Sequence, residues 1–208
     1  MKILAISGSL REASYNTALA RAARELAPPG VEVDLYERLA RIPPYDQDLD
    51  RPGAPPPLAV RDLRERIDDA DALLVVTPEY NGSVPGVLKN AIDWVSARHS
   101  GSWLRNKTVA IAGATTGQYG AIWAQQDLRR VLGITGARVI AGELPVSRAQ
   151  TAFDSVGRLV DPLVEERLRS HIASLVAEAA PTPVAVGVEQ DEGPHEAALR
   201  RSTVPALD

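Results

Sequence analysis

Short apolar runs alternate with longer amphipathic segments along most of this chain. The apolar runs predict five strands, over residues 2–7, 31–36, 71–77, 108–112 and 137–141. The amphipathic segments predict five helices, over residues 14–27, 58–70, 85–98, 119–132 and 161–179. The runs at 2–7 and 71–77 have continuously apolar centres, residues 3–6 and 72–76, which is typical of strands that are buried on both faces.

Strands that alternate with helices predict βαβ units, and such units build a parallel sheet with helices on both faces. Five strands and five helices fit an α/β protein with a flavodoxin-like, doubly wound five-stranded parallel sheet, order 2-1-3-4-5. We expect this domain to span residues 1–180. Residues 181–208 contain four prolines and follow no helical or alternating period. They predict a Pro-rich tail that is either disordered or docked on a partner subunit.

The composition excludes several classes of function. The chain of 208 residues has no cysteine, which excludes disulfide scaffolds, cysteine zinc sites, iron–sulfur clusters and thiol catalysis. A net charge of −4 argues against nucleic-acid binding through a broad basic face. No apolar run approaches the ~18 residues that span a bilayer, and the apolar N-terminal run is too short for a signal peptide. We therefore expect a cytoplasmic protein with no metal site and no membrane partner.

Three polar loops follow strands that are neighbours in the predicted sheet. The first loop is residues 7–16, the second is 77–84 and the third is 114–120, and each is rich in Gly, Ser, Thr or Asn. They leave the carboxyl ends of predicted strands 1, 3 and 4. Because ligands bind at that edge of such sheets, we expect the three loops to converge on a binding crevice.

The first loop joins a strand to a helix N-terminus, whose free N–H groups and positive dipole end favour a phosphate. Ser9 and Ser14 add hydroxyl donors, Arg11 adds a planar charged fork and Asn16 adds an amide. The loop has one glycine and no Gly-Lys-Ser/Thr, so it is neither a dinucleotide motif nor a P-loop. It predicts a site for a terminal monophosphate. The alternative is that Ser14 only caps the helix.

The second and third loops carry glycines that suit close approach to a ligand. Asn81-Gly82 is a tight-turn pair flanked by prolines, so the second loop can present rigid backbone groups to a planar heterocycle. Tyr80 can stack on that heterocycle or shield it. Gly117 and Gly120 allow the third loop to approach a ligand closely. For both loops the alternative is a purely structural turn.

Two motifs carry a resemblance to a known family. They read Gly8-Ser9-Leu10-Arg11-x-x-Ser14-x-Asn16 and Pro78-Glu79-Tyr80-Asn81-Gly82-Ser83-x-Pro85-Gly86, the second continuing to Trp94. Together they resemble the NADPH-dependent FMN reductase family, which includes chromate-, quinone- and azo-dye-reducing members. Residues 44–49 are similar to that family's loop after strand 2, whereas Gly120-Ala121 stands where many members have Gly-Gly. The resemblance covers roughly residues 1–175.

The resemblance implies an oxidoreductase that holds FMN tightly. Hydride would pass from NADPH or NADH to the flavin and then, by a ping-pong reaction, to a quinone, free flavin, azo dye or chromate. By the same resemblance the phosphate would be held by Ser9, Arg11, Ser14, Tyr15, Asn16 and Thr17. The ring would be lined on one side by Pro78, Glu79, Tyr80, Asn81, Gly82 and Ser83. Its other side would be closed by Thr115, Thr116, Gly117 and Tyr119.

No catalytic acid, base or nucleophile is predicted, because the flavin carries the chemistry. The three histidines are expected to be ordinary surface residues: His99, His171 and His195. Two other functions stay open, a flavodoxin-type electron carrier and a non-enzymatic redox-sensing flavoprotein. The modest net charge and the aromatic content of 4% argue against the carrier.

A homodimer or homotetramer is implied by the resemblance, since the family commonly forms both. Helical periodicity independently predicts a buried face over residues 121–132, and Ile122 and Trp123 fall outside it. Trp94 lies at the margin of the apolar face of its own helix. We expect these tryptophans near a subunit interface. The alternative is burial under a neighbouring loop.

Overall fold

The computed structural model describes residues 1–51, 53–96 and 102–180. Its strands are β1 (Lys2–Ser7), β2 (Glu32–Tyr36), β3 (Ala72–Val76), β4 (Thr108–Ala114), β5 (Arg138–Val139) and β6 (Leu144–Val146). Its helices are α1 (Tyr15–Glu25), α2 (Leu58–Asp69), α3 (Gly86–Ser96), α4 (Ile122–Ile134), α5 (Ala149–Ala152) and α6 (Pro162–Ala179). The five predicted strands and five predicted helices are confirmed, with boundaries that differ by a few residues. The predicted tail, residues 181–208, lies outside the described residues.

The sheet is parallel and has the predicted order, β2-β1-β3-β4-β5, with β6 as an additional strand. β1 lies between β2 and β3, so that Ile3 is opposite both Val33 and Ala72. The flavodoxin-like, doubly wound fold is therefore confirmed. Among the described residues, no helix is both long enough and apolar enough to cross a membrane.

The sheet separates two apolar layers because successive strand residues point to opposite faces. Ile3 and Ala5 of β1 pack in a cluster with α1 and α6, where α1 contributes mostly alanines. Leu4 and Ile6 pack in a second cluster, with larger side chains from α2, α3 and α4. The side chain of Asn16, in the first turn of α1, bonds to the backbone of Ala114 at the end of β4, so the N-terminus of this helix lies beside the ends of the strands.

The fifth strand is split, which the sequence pattern did not predict. β5 pairs with Thr108 and Val109 at the start of β4, whereas β6 pairs with residues 112–114 at its end. In the gap, the Ile111 carbonyl bonds to Nε2 of His171 on α6 at 2.9 Å. The expectation that His171 is an ordinary surface residue is therefore wrong. The side chain is partly buried, and its ring bonds to a carbonyl of β4 that lies between the stretches paired with β5 and β6. His99 and His195 lie outside the described residues.

The environment of His171 makes its charge unfavourable. Burial lowers the pKa of His171 below its usual value, and Arg129 and Arg167 act in the same direction. The bond to the Ile111 carbonyl and the carboxylate of Glu143 oppose that shift. The unfolded chain takes up a proton here at about pH 6.5, whereas the folded chain does so only at lower pH. The stability that neutral His171 contributes is thus present above that pH and is lost as the pH falls below it.

We expect the free energy of unfolding to fall more between about pH 7 and pH 5 in the wild type than in His171→Gln. The glutamine amide can still donate to the Ile111 carbonyl but cannot titrate. Urea denaturation of both proteins at several pH values measures the difference. Parallel pH profiles would show that this histidine is not linked to stability.

Candidate functional site

The three loops meet at one edge of the sheet because each continues the backbone ladder past the end of its strand. The Gly8 N–H donates to the Val76 carbonyl at 2.8 Å, and the Thr77 N–H donates to the Ala112 carbonyl at 2.8 Å. The Thr115 N–H donates at 3.0 Å to the carbonyl of the last residue of β6. The predicted convergence of the loops is therefore present in the backbone itself.

Two glycines allow the close approach of the loops to their neighbours. A Cβ on Gly8 would lie 2.9 Å from Cδ2 of Leu88 on α3. A Cβ on Gly113 would lie 2.7 Å from the carbonyl oxygen of Thr77 and 2.9 Å from Nε2 of Gln125. The sequence did not single out Gly113, because a glycine next to an apolar strand does not indicate which other segment of the protein packs against it.

The first loop ends at the cap of α1. The Oγ of Ser14 accepts the backbone N–H of Asn16 at 3.2 Å and that of Thr17 at 3.4 Å. Ser14 therefore does cap the helix, but a cap uses only oxygen lone pairs, so the hydroxyl proton is free to donate. The first turn of α1 carries no acidic side chain. No carboxylate there competes with an anion for the positive end of the helix dipole.

Asn16 and Thr17 direct their side chains into the protein. The Asn16 amide donates to the Ala114 carbonyl at 2.9 Å and accepts the Ala114 N–H at 2.8 Å. It thereby ties the first loop to the third. The Thr17 hydroxyl bonds to the Ser7 hydroxyl at 2.9 Å. Any phosphate contact from these two residues would thus involve backbone N–H groups that already donate to Ser14 Oγ, and their binding role stays a prediction.

Ser9, Arg11 and Tyr15 differ in what they offer to a ligand. The exposed Arg11 guanidinium donates one long bond, to the Ala13 carbonyl at 3.4 Å, and has no carboxylate partner within the described part of the chain. The Ser9 hydroxyl accepts the Arg11 N–H at 3.3 Å. The Tyr15 ring stacks on Phe153 with centroids 5.7 Å apart, so it is a packing group. The first loop therefore holds one uncompensated cation at the start of α1.

The second loop is a tight hairpin. Tyr80 and Ser83 exchange backbone hydrogen bonds of 3.2 and 3.1 Å. Asn81 has φ 53° and Gly82 has φ 73°, the positive values that a type I′ turn requires. Tyr80 is 51% exposed beside this turn. The predicted rigid turn is confirmed as a backbone conformation, and it projects an aromatic ring from the edge of the sheet.

Glu79 has a structural partner that sequence reasoning missed. Its Oε2 accepts the N–H of Ala124, in the first turn of α4, at 3.1 Å. α4 follows Ala121, which has φ 61° and no side chain that could cap the helix. Glu79 supplies that cap from the second loop. A helix start without a Ser, Thr, Asp or Asn cap was the available signal in the sequence.

A second bond joins the same loop to the same helix. The Ser83 hydroxyl donates to Oδ2 of Asp127 at 2.6 Å, and Arg130 donates to the other carboxylate oxygen at 2.7 Å. The pKa of Asp127 lies below its ordinary value. The hydrogen bond from the Ser83 hydroxyl is the largest cause of this shift, and the bond from Arg130 is the next. Asp127 is therefore ionised at neutral pH.

The third loop is held at its base and exposed at its tip. The Gly117 N–H bonds to Oγ1 of Thr115 at 3.2 Å, and the Gly117 carbonyl accepts the Arg148 N–H at 2.9 Å. The exposed Tyr119 ring packs on Trp123 of α4 with centroids 4.7 Å apart. The tip from residue 116 to 119 is exposed, so its backbone is accessible to a ligand.

A cleft of about 410 Å³ opens between the first and second loops. Its lining combines apolar walls with one guanidinium: Gly8, Leu10, Arg11, Tyr80, Pro85, Gly86 and Val87. Leu10 is 54% exposed at its rim. The cleft suits a flat organic molecule that carries negative charge.

Trp94 is not at the surface, so its assignment to a subunit interface is wrong. The side chain is fully buried, and Nε1 donates to the Pro43 carbonyl at 2.8 Å. Tyr45 packs edge-on against the indole at 5.0 Å between centroids. The alternative, burial under a neighbouring loop, is correct for Trp94. Trp123 is 47% exposed, as expected of an interface residue.

Comparisons with known proteins agree with one another. Residues 1–151 match the family model described as NADPH-dependent FMN reductase. An NAD(P)H-dependent FMN reductase of Pseudomonas aeruginosa is 44% identical over 176 residues, which cover 84% of this chain and 93% of that protein. A 2-hydroxy-1,4-benzoquinone reductase of a Burkholderia species is 35% identical over 178 residues, covering 85% and 95%. The solved structure of FerB, a flavoenzyme NAD(P)H:(acceptor) oxidoreductase from Paracoccus denitrificans, matches with TM-score 0.74 and 30% identity, covering 86% and 96%.

We expect Gly113→Ala to lower the free energy of unfolding by about 1–3 kcal/mol, because its Cβ would overlap the Thr77 carbonyl. The matched control is Gly133→Ala on α4, where an added Cβ meets no atom within 4 Å. That change should raise stability by up to about 1 kcal/mol, since alanine is the better helix former. Chemical denaturation compares the two, and equal stabilities would contradict the proposed crowding at Gly113.

Proposed function

The chain belongs to the NADPH-dependent FMN reductase family, and from that premise we propose that its three loops hold FMN as the cofactor of a quinone reductase. NAD(P)H is the electron donor of this oxidoreductase class. The proposal rests mainly on one observation. A guanidinium with no carboxylate partner among the described residues, a first turn of α1 without acidic side chains and a tight hairpin converge at one edge of the sheet.

The first loop fits the phosphate of FMN. The Arg11 guanidinium is uncompensated, and the Ser14 hydroxyl proton is free. A phosphate at the start of α1 would gain both donors and the positive end of the helix dipole. We assign the phosphate to the side chains of Ser9, Arg11 and Ser14 and to the N–H groups of residues 15–17. Those of Asn16 and Thr17 would exchange or share their long bonds to Ser14 Oγ, of 3.2 and 3.4 Å, with the phosphate.

The second and third loops fit the flavin ring. We assign one side of the ring to residues 78–83, where a Cβ on Gly82 would meet only open space. We assign the other side to Thr115, Thr116, Gly117 and Tyr119, whose exposed stretch offers backbone groups to a flat ring. The rigid type I′ hairpin keeps these backbone groups fixed before a ligand arrives, which lowers the entropy cost of binding.

FMN, when bound, supplies the redox chemistry by accepting a hydride from NAD(P)H and passing electrons to an acceptor. The protein binds the cofactor, orients its ring and covers one face with the second loop. No side chain is assigned as a catalytic acid or base. The cleft beside Tyr80 and Leu10 is the proposed place for both substrates in turn, so the oxidised nucleotide leaves before the acceptor binds. This arrangement gives ping-pong kinetics.

A quinone is the proposed acceptor, because one relative is named for reducing a benzoquinone and the cleft has apolar walls. Free flavin, azo dyes and chromate are further candidates. Tyr80 offers an aromatic face on which a planar quinone can stack. We propose a cytoplasmic location and one catalytic domain over residues 1–180.

A homo-oligomer is proposed from an exposed aromatic pair that joins the third loop to the first turn of α4. Tyr119 and Trp123 are 53% and 47% exposed and pack on each other beside the loops of the proposed cofactor site. Large exposed aromatics grouped in this way are typical of subunit interfaces. A dimer or tetramer that buries them would also shield the bound ring from water, and light scattering of the full chain distinguishes it from a monomer.

The purified protein is expected to be yellow, and its flavin absorbance should bleach within seconds when NADPH or NADH is added without oxygen. Subsequent addition of a benzoquinone should restore the absorbance. Initial rates at several concentrations of both substrates should give parallel double-reciprocal lines. A protein that remains colourless after incubation with FMN and removal of the free flavin would contradict the proposal. A bound flavin that only a partner protein, and not NAD(P)H, reduces would indicate an electron carrier.

We expect Arg11→Ala to raise the dissociation constant for FMN about tenfold, as expected for the loss of one charge-assisted hydrogen bond. The control, Arg21→Ala, removes the same charge from α1 but breaks only an exposed pair with Glu37. It should change the constant less than twofold. Titration of FMN into flavin-free protein gives both values, and equal effects would mean that Arg11 acts only through overall charge.

A further inference from the structure

The N-terminal half of α4 supports both loops that are assigned to the flavin ring. The Ala124 N–H bonds to Glu79 of the second loop, and Asp127 accepts the hydroxyl of Ser83 in the same loop. Between them, the buried Gln125 donates through Nε2 to the carbonyl of Gly120 in the third loop at 2.8 Å. One rigid helix thus sets the relative position of the two loops.

The bond between Ser83 and Asp127 is the shortest of these three supports. Its length of 2.6 Å is typical of a hydroxyl that donates to an ionised carboxylate. The Asp127 side chain is 27% exposed, so the bond is partly shielded from water. An ionised carboxylate only accepts, so the single Ser83 proton is committed to Asp127. This fixes both the rotamer of Ser83 and the base of the hairpin.

Asp127 differs from Glu79 in how it can influence a ligand. Glu79 lies within the proposed ring-binding segment and caps a backbone N–H, so its loss would disturb the ligand contact and the helix together. Asp127 lies on α4, outside every segment assigned to the cofactor. In the second loop it accepts hydrogen bonds from the Ser83 hydroxyl and from the backbone N–H of Val84, both at the base of the hairpin. An effect of Asp127 on the cofactor therefore has to pass through the loop.

We propose that Asp127 is a positioning residue, which holds Ser83 and thereby sets the hairpin of residues 80–83 for binding the flavin ring. The proposal rests on the proposed function, because it needs FMN at the second loop. Loss of the carboxylate leaves the hairpin closed by its own two backbone bonds, with Glu79 still bonded to α4, but removes the bond that holds the Ser83 end of the hairpin against that helix. The loss in the binding free energy of FMN should then exceed the loss in the free energy of unfolding of the flavin-free protein.

The experiment measures FMN dissociation constants by titration into full-length, flavin-free protein, together with the visible spectrum of the bound flavin. Asp127→Ala should raise the dissociation constant about tenfold, which is the size expected for the loss of one charge-assisted hydrogen bond. It should also alter the spectrum of the bound flavin. Asp127→Asn keeps an acceptor oxygen and should lose about threefold. The control Arg130→Gln removes the counter-charge but leaves the Ser83 bond intact, and should change the constant less than twofold.

A double-mutant cycle tests whether Asp127 acts through Ser83. In a Ser83→Ala background, neither Asp127→Ala nor Asp127→Asn should weaken FMN binding further. The Asn cycle also serves if Asp127→Ala does not fold. Unchanged affinity in the Asp127 variants, an equal loss in the Ser83→Ala background, or an equal loss in Arg130→Gln would overturn the proposal. Failure of the wild type to bind FMN would instead overturn the proposed function, and this proposal with it.

Discussion

Backbone hydrogen bonds that run past the carboxyl ends of the central strands determine the geometry of the whole site. Once the N–H groups of Gly8 and Thr77 are bonded to the neighbouring strands, the residues that follow must turn away from the sheet. The Thr77 carbonyl oxygen then lies against Gly113 of β4, where a side chain would overlap it. The register of the sheet is thus carried into the loops, which is why residues that are distant in sequence lie together without a dedicated binding domain.

The strands, the helices and the three polar loops could be predicted because burial leaves a direct trace in the sequence. The buried runs at β1 and β3 are continuous, and Ser14 marks the start of α1 as a capping residue. The split of the last strand could not be predicted, because β5 and β6 are too short to produce a period. Trp94 was misassigned because helical periodicity describes one helix and is silent about the loop that covers it.

The positions of the three loops could be predicted from the sequence, whereas the partners of their side chains could not. The three loops could be found from their composition, but the side chain of Asn16 binds the third loop and Glu79 caps a helix. Both roles depend on contacts with residues 98 and 45 positions away, and local sequence carries no record of such pairs. Polar side chains in these loops therefore divide into those that build the loops and those, such as Arg11, that make no hydrogen bond to another loop among the described residues.

The interrupted strand has a consequence for association between chains. A free sheet edge with a continuous row of backbone groups can recruit a strand from another molecule and so promote aggregation. Here one edge consists of β5 with two residues and β6 with three, and His171 occupies the carbonyl exposed between them. On the opposite edge, the Arg24 guanidinium donates to the Val33 carbonyl of β2 at 2.8 Å. Within the described residues, neither edge offers another chain a long uninterrupted ladder, an arrangement that disfavours edge-to-edge polymerisation of an open sheet.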